Sequence, residues 1–326
     1  MDVLSDVIAV MRTGQPRSAR VEWQAPWAQR FASVPGSAGF QMILQGPCWL
    51  IPPDTDPVSL ATGDVVFLPH GRGHALADSP STPLVAPACD PNDGRFLQRY
   101  ATATVGEPVG TGGPTAVTLC GAYQLDRART HPLLDDLPGL IHLPAHLGRQ
   151  PELRATVALL AAELQRPRLG TDAIVPALLD TLLLYILRAW FDEQATSGVA
   201  TGWAAALNDP AITAALRSMH RDPAWPWTVA TLASEAGLSR APFARRFTTL
   251  IGEPPLSYLT WWRMTIAARL LRESDAPLSA VAHQVGYRSE FAFASAFKRR
   301  YGVAPGRYRC AGPPRATTAR VGWSAR

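Results

Sequence analysis

Two hydrophobic patterns divide the chain near residue 150. Before that point, short apolar runs alternate with turns rich in Pro and Gly. Apolar runs of this length between turn residues predict β-strands, and several of them in succession predict a small antiparallel barrel or sandwich. The clearest runs are residues 40–44, 48–51, 65–68, 116–119 and, as a last strand, 140–143.

After residue 150 the apolar residues recur with the period of an α-helix. Leu153, Val157, Leu160 and Leu164 fall on one predicted helix, and residues 174–190 form a longer one. Both helices are apolar over more than one face. A monomer rarely leaves such a surface to water, so we expect these helices to pack on the barrel and on a second subunit. The pattern therefore predicts a homodimer.

The C-terminal third repeats one pattern with an offset of 49 to 50 residues. The Gly of each copy predicts a tight turn with positive φ, and the Ser after it predicts a cap on the next helix. Two Phe residues four positions apart predict the buried face of that helix. This is the pattern of a helix-turn-helix. The copies contain Gly237, Ser239, Phe243 and Phe247, and Gly286, Ser289, Phe293 and Phe297.

Residues 255–272 predict one helix of about 27 Å between the two copies, at ~1.5 Å per residue. Recognition helices held that far apart can enter successive major grooves on one face of DNA, since a helical turn is ~34 Å. The expected fold is a multidomain α+β protein, with an N-terminal antiparallel β-barrel, two packing helices and an all-α domain of two helix-turn-helix units joined by a long helix. The expected segments are a barrel at 1–150, helices for packing and dimerisation at 151–195, a linker at 196–206, the all-α domain at 207–310 and a disordered tail at 311–326.

Charge separates the two halves. The whole chain carries a net charge of +5, but residues 209–326 hold 17 Lys and Arg against seven Asp and Glu, a net charge of +10. The remainder is therefore acidic. Positive charge concentrated around the repeat predicts double-stranded DNA as the partner of the C-terminal part.

Several protein classes are disfavoured by composition. The four Cys residues are widely spaced and form no C-x-x-C pair, which argues against a disulfide framework or a zinc finger. The N-terminus has no basic segment followed by an apolar stretch, so we expect no export signal. The most apolar run, residues 173–191, is interrupted by Pro176, Asp180 and Arg188. We expect a cytoplasmic protein without a membrane span.

The repeat and its surroundings resemble the AraC/XylS family of transcriptional regulators. The resemblance covers about residues 209 to 309 and includes D-P-A-I at 209–212, W-T-V-A-T-L-A-S-E-A-G-L-S-R at 227–240 and F-K-R-R-Y-G-V-A-P-G-R-Y-R at 297–309. It implies a sequence-specific DNA-binding regulator that is not an enzyme. RNA polymerase is a further candidate partner.

In that family the outward positions of both recognition helices contact bases or phosphates. Here Arg245 is the strongest candidate for base readout, because a guanidinium can pair bidentately with guanine. The basic residues at the end of the second recognition helix are expected to meet phosphate. The complete expected set is Arg240, Ala241, Ala244, Arg245, Glu290, Phe291, Ser295, Lys298, Arg299 and Arg300.

A shorter resemblance, to the cupin barrel, implies a sensor domain. Gly63, Pro69, Gly71 and His74 fit the second cupin motif, G-x5-P-x-G-x2-H. The first motif, which supplies two further His and a Glu to a metal, is absent, and the nearby strand carries Gln41 instead. Metal chemistry and a cofactor are therefore not expected, and His74 is interpreted as a residue that stabilises the turn.

Three alternatives remain open for the N-terminal half. It could be a cupin metalloenzyme, a dioxygenase or isomerase, with the helix-turn-helix part as an accessory domain. His74, Cys89 and Cys120 could form a zinc site or a redox-active thiol site, although buried inert cysteines are commoner. An unknown small-molecule effector could bind in an aromatic-lined barrel. The aromatic residues in question are Trp23, Trp27, Trp49 and Phe67.

Overall fold

The computed structural model describes residues 2–84, 88–89, 100–105, 115–125, 131–145, 150–198 and 201–310. The chain divides into two compact units. We call residues 7–208 the N-terminal unit, and residues 209–326 together with residues 1–6 the C-terminal unit. The predicted start of the all-α domain, residue 207, lies two positions before residue 209, and the first six residues group with the C-terminal unit. The predicted disordered tail, 311–326, lies outside the described residues.

The chain up to residue 208 contains a short N-terminal helix, ten strands and four further helices among its described residues. The first helix and strand were not predicted. The elements are α1 (Val3–Met11), β1 (Arg12–Trp23), β2 (Ala28–Phe31), β3 (Ser37–Gln45), β4 (Cys48–Ile51), β5 (Val58–Leu60), β6 (Val65–Leu68), β7 (His74–Ala77), β8 (Tyr100–Val105), β9 (Ala116–Leu125), α2 (Pro132–Asp135), β10 (Ile141–Leu143), α3 (Pro151–Gln165), α4 (Thr171–Ser197) and α5 (Gly202–Asn208).

The strands form two sheets that enclose one apolar core. The larger sheet has the order β10-β6-β3-β9-β1-β8, and the smaller has the order β2-β7-β4-β5. Alternate residues of each strand, among them Val21, Leu50, Val66 and Leu76, point into the core between the sheets. The predicted barrel is confirmed, with one difference: β1 pairs with β8 in parallel orientation, whereas the prediction was antiparallel throughout.

Helices α3 and α4 pack on the larger sheet and on each other. The hydroxyl of Tyr123 on β9 donates to the carbonyl oxygen of Leu179 on α4 at 2.6 Å. By length and composition α4 could cross a membrane, but in the structure Leu179, Leu182 and Ile186 are fully buried within the N-terminal unit. Three large apolar side chains on α3, on the α3–α4 connection and on the first turn of α4 stay exposed. They are Leu159, Leu169 and Ile174, which are 59%, 103% and 43% exposed.

The predicted linker at residues 196–206 is largely helical. Helix α4 continues to Ser197, and α5 begins at Gly202. The backbone N–H of Trp203 donates to the carboxylate of Asp136 at 3.0 Å, and its indole ring meets His131 edge-on at 4.8 Å. A buried Trp ties this stretch to the N-terminal unit, which the small polar composition preceding it did not suggest.

The C-terminal unit contains seven further helices among its described residues. Asp209 begins the first of them, α6, by accepting hydrogen bonds from the N–H groups of Ala211 and Ile212 at 3.0 and 3.1 Å. The helices are α6 (Pro210–Arg221), α7 (Val229–Glu235), α8 (Arg240–Ile251), α9 (Pro255–Glu273), α10 (Leu278–Gln284), α11 (Glu290–Tyr301) and α12 (Pro305–Cys310). Thus α7–α8 and α10–α11 are the two predicted helix-turn-helix units, and α9 is the predicted joining helix.

Helix α9 is buried along most of its length because both helix-turn-helix units pack on it. On its first half, Tyr258 contacts Phe247 of α8, with ring centroids 6.0 Å apart. Trp262 stacks on the buried His220 of α6 at 3.9 Å, and the His220 ring also hydrogen-bonds the Tyr258 hydroxyl at 2.6 Å. On its second half, Met264, Ala267, Ala268 and Leu271 join one core with α10 and α11.

The two turns have the predicted backbone but differ in detail. Gly237 and Gly286 both have positive φ, +64° and +82°. The Ser289 hydroxyl accepts a hydrogen bond from the Ala292 N–H at 3.3 Å and so caps α11. The prediction was wrong for Ser239, which holds the N-cap position of α8 but makes no side-chain cap bond.

The turn at Gly286 also touches the connection between α6 and α7. Arg263 of α9 donates to the carbonyl oxygens of Pro223 and Trp225 at 2.7 and 2.8 Å. A Cβ at Gly286 would lie 2.9 Å from both the Ala224 carbonyl oxygen and the Arg263 guanidinium, whereas a Cβ at Gly237 would have no heavy atom within 4 Å. Arg263 and Gly286 therefore bring the first and second helix-turn-helix units into register.

These two glycines make a matched pair for substitution. Gly237→Ala should cost about 1–2 kcal/mol, the strain of an L-residue at positive φ. Gly286→Ala should cost more, because it also displaces the Arg263 guanidinium. Hydrogen exchange of the amides in α7–α8 and α10–α11 measures both losses locally. Equal losses of protection in the two variants would contradict the role given to Arg263.

Candidate nucleic-acid interface

Helix α8 separates a buried face from an exposed one. Phe243 and Phe247 are completely buried, with ring centroids 5.7 Å apart. Arg240, Ala241 and Arg245 are exposed, and Ala244 is partly exposed. The four predicted contact residues of this helix therefore share one accessible face, and Arg245 extends from its middle.

Helix α11 repeats this arrangement with a different surface. Phe293 and Phe297 are buried, and their ring centroids are also 5.7 Å apart. The first turn exposes Phe291, whose side chain is 82% accessible. An apolar side chain this exposed at the start of a recognition helix suits contact with a thymine methyl group. The other predicted residues, Glu290, Ser295, Lys298, Arg299 and Arg300, are exposed as well.

The basic end of α11 is positioned against α9. The guanidinium of Arg300 lies over the Trp261 ring, 5.9 Å from its centroid. This contact leaves the guanidinium edges free to donate hydrogen bonds. Arg299 and Arg300 both line a shallow groove between α9 and α11. An anchored arginine at this point is suited to a phosphate rather than to a base edge.

Sequence reasoning missed the residues that orient these helices. Arg246, beside Arg245, is also exposed, but its Nε lies 2.5 Å from the carboxylate of Asp209. Asp209 thus caps α6 and also fixes α8. The D-P dipeptide at 209–210 is a recognisable helix start, but the pairing with Arg246 is 37 residues distant and left no local signal.

In the barrel, His74 is held by polar and aromatic neighbours. Its Nε2 lies 2.9 Å from the amide nitrogen of Gln41, and its Nδ1 lies 3.4 Å from the Arg72 carbonyl oxygen. Its ring stacks on Phe31 at 4.8 Å. Burial lowers the pKa of His74 to about 4, so the ring is neutral at pH 7. These contacts hold the β6–β7 turn against β3, in keeping with the predicted role.

The proposed metal ligands do not form a metal site. Among the described residues, no group of three His, Cys, Asp or Glu side chains is arranged to hold a metal ion. Burial, and then the neighbouring Cys89, raise the pKa of Cys120 to about 12. The protonated thiol is a poor ligand and a poor nucleophile. Among the described residues the geometry therefore gives the zinc alternative no set of three ligands, whereas Cys89 and Cys120 do lie close together and the thiol alternative stays a prediction.

The four aromatic residues expected to line an effector pocket do not share one. Trp23 and Trp27 stack on each other inside the core, with centroids 4.4 Å apart, and Trp23 donates to the Thr118 hydroxyl at 2.8 Å. The strand neighbours of Trp49 and Phe67 point into this core, so Trp49 and Phe67 themselves point to the other face of their sheets. The four aromatic residues are therefore divided between two sides of the strands.

Comparisons with known proteins agree with this architecture. A family model described as "Cupin" matches residues 2–192, and one described as "Helix-turn-helix domain" matches residues 232–311. A putative AraC-like transcription regulator of Streptomyces antibioticus is 36% identical over 95% of this chain and 98% of its own length. The HTH-type transcriptional regulator AlkR of Acinetobacter baylyi is 30% identical over 95% of this chain and 99% of its own. The crystal structure of the DNA-binding domain of AdpA in complex with a target DNA is 37% identical, covers 32% of this chain and 92% of that domain, and has a TM-score of 0.30.

Arg245 and Arg300 should behave differently when truncated. Arg245→Ala should weaken binding to a specific site by about 1–3 kcal/mol and relax the preference at one base pair, because a base contact is lost. Arg300→Ala should weaken binding to specific and random DNA alike. Band-shift titrations on a target site and its single-base variants measure both effects. If Arg245→Ala loses as much affinity for random DNA as for the site, Arg245 does not read a base.

Proposed function

This chain belongs to the family of AraC-like transcription regulators, and from that membership we propose that it controls transcription by reading two neighbouring major grooves with one C-terminal unit. The proposal is carried by the position of α8 and α11 on the two halves of α9, each with a buried Phe pair and an exposed outer face. The 19 residues of α9 extend about 28 Å. That length is close to the ~34 Å of one DNA turn.

The two recognition helices would contribute unequally to specificity. The outer face of α8 carries two arginines, which can read guanines, on either side of two alanines, which can touch only a thymine methyl. The outer face of α11 offers Glu290, Phe291 and Ser295 ahead of its basic end. We therefore assign most base readout to α8 and more of the phosphate binding to α11.

Binding to DNA should depend strongly on salt. Each phosphate that the protein neutralises contributes about −0.9 to the slope of log K against log salt, because a condensed counterion is released. The full chain, titrated against the duplex upstream of its own gene at several salt concentrations, should show a steep negative slope. An affinity that stays flat from low to physiological salt would refute a DNA-binding role for the basic unit.

The active form in this proposal is a homodimer. Leu159, Leu169 and Ile174 expose an apolar patch beside the α3–α4 connection, and two copies of such a patch can cover each other around a two-fold axis. The dimer would place two C-terminal units on one DNA site in the cytoplasm, where RNA polymerase is a further partner.

The dimer can be tested by charging the patch. The double substitution Leu159→Asp and Ile174→Asp should yield a monomer in analytical ultracentrifugation, since each dimer would bury four carboxylates. Leu256→Asp is the matched control, because Leu256 is 39% exposed but lies in the C-terminal unit. A double variant that sediments as a dimer would place the subunit contact elsewhere.

The N-terminal unit is proposed to receive the signal. It has a core of its own, and the family likeness extends through it. Its relatives are named transcriptional regulators, which supports a sensor domain in preference to an enzyme. We propose a small molecule as the signal, since no group of three metal ligands is arranged around His74 among the described residues. Cys89 and Cys120 are neighbours, so oxidation of these thiols stays a second candidate signal.

A further inference from the structure

A cavity of about 400 Å³ lies in the N-terminal unit between the larger sheet and the helices α3 and α4. One wall comes from the ends of β3 and β10 and from the turn between β5 and β6. The other comes from α3 and the C-terminal turns of α4. A volume of this size suits a small organic molecule. The apolar part of the lining is formed by Ile43, Val65, Leu143, Leu153, Val157 and Ala161.

The edge of this cavity is held in place by Asp64. Its buried carboxylate accepts hydrogen bonds from the N–H groups of Ala61 and Ala145 at 3.1 and 2.9 Å and contacts Nε2 of His142 at 2.9 Å. Burial alone would raise the pKa of Asp64, but these hydrogen bonds outweigh it and lower the pKa. Gly63 allows the close approach, since a Cβ there would lie 2.7 Å from the Cβ of Ala145. These contacts fix the position of this wall of the cavity.

Two carboxylates face this cavity from an unfavourable position. Asp192 and Glu193 both line it, close to the C-terminus of α4. The helix dipole makes that end negative and favours cations there, yet the last turn of α4 contains no basic residue. Within the described parts of the chain, neither carboxylate has an ion-pair partner. Asp192 is exposed and Glu193 is half-buried, so the two negative charges lie at the solvent-accessible edge of the cavity, close to the negative end of the helix.

Arg154, the third charged residue of the lining, does not neutralise both Asp192 and Glu193. Arg154 on α3 donates from its guanidinium to the carbonyl oxygen of Ala145 at the opposite wall. One guanidinium against two carboxylates and a helix C-terminus leaves the polar end of the cavity negative. An anionic ligand would be repelled there, and a neutral one would gain no charge pairing with the carboxylates.

We propose that this cavity binds a lipophilic organic cation, an amine or quaternary ammonium with an apolar body. The body packs between the sheet and α3, and the cationic group faces Glu193 and Asp192. The site borders the barrel core, which it touches at Ile43, but it is not the space that Trp23 and Trp27 fill. The inference rests on the proposed function in one respect: the cation would be the signal that the N-terminal unit receives.

Calorimetric titration of the full chain tests the ligand class directly. The probes are decyltrimethylammonium, decanoate and decyl maltoside, which share one alkyl chain and differ in charge, each used below its micelle concentration. Decyltrimethylammonium should bind at least roughly tenfold more tightly than the other two, because only it pairs with the carboxylates. Equal affinities, or tighter binding of decanoate, would overturn the proposal.

Variants locate the site. Glu193→Gln should weaken binding of the ammonium probe roughly tenfold, and Ala161→Phe should abolish it by filling the apolar part of the cavity. Glu152→Gln removes an exposed carboxylate of α3 that does not line the cavity, and it should bind as the wild type does. Unchanged binding in both Glu193→Gln and Ala161→Phe would show that the cavity is not the site.

The signalling role has its own readout. DNA affinity of the full chain, measured with and without the ammonium probe, should change in the wild type and not in Glu193→Gln. A wild type that binds the probe with no change in DNA affinity would contradict the signal but leave the ligand class standing. A chain that binds no DNA would contradict the proposed function, while the calorimetric result still decides the cavity.

Discussion

The packing of two helix-turn-helix units onto one continuous helix is the constraint on which DNA recognition depends. Helix α9 buries Tyr258 and Trp262 against the first helix-turn-helix unit and Met264 and Leu271 against the second. Neither helix-turn-helix unit can therefore rotate without losing apolar contacts. A stiff helix converts its residue count into a distance between α8 and α11. Arg263 adds a polar contact across the middle by holding the α6–α7 connection near the turn at Gly286.

Much of the C-terminal unit could be predicted because its signals are local. Gly at a turn, Phe four residues apart and an uninterrupted apolar helix each follow from neighbouring residues, and the structure places them as expected. What escaped prediction is long-range. Asp209 pairs with Arg246, and Arg263 reaches the carbonyl groups at 223 and 225, contacts with no periodicity to reveal them. The absent cap at Ser239 shows that a residue type can hold a cap position without making the bond.

The N-terminal unit was predictable in its strands but not in its cavities. Short apolar runs between turns predicted β3, β4, β6 and β9. The prediction of one aromatic-lined pocket was wrong, because strand alternation sends Trp49 and Phe67 away from the core that holds Trp23 and Trp27. The cavity beside α3 and α4 is formed by residues of five helices and strands and of two connections between them. Its charged end depends on how the C-terminus of α4 meets the sheet, which no single segment encodes. The cupin motif, in turn, marks a turn framework around His74 and Gly71 without the ligands of a metal centre.

In the proposed DNA complex, α9 sets a fixed distance between two DNA contacts of one subunit. The most direct test measures the affinity of the full chain for its DNA site after five base pairs, half a helical turn, are inserted between the segments that α8 and α11 are proposed to read. A fixed distance predicts that the insertion reduces affinity to that of a site retaining the α8 segment alone, since α11 then faces the wrong side of the duplex. Affinity that survives the insertion would mean that the two units move independently, and would contradict the account.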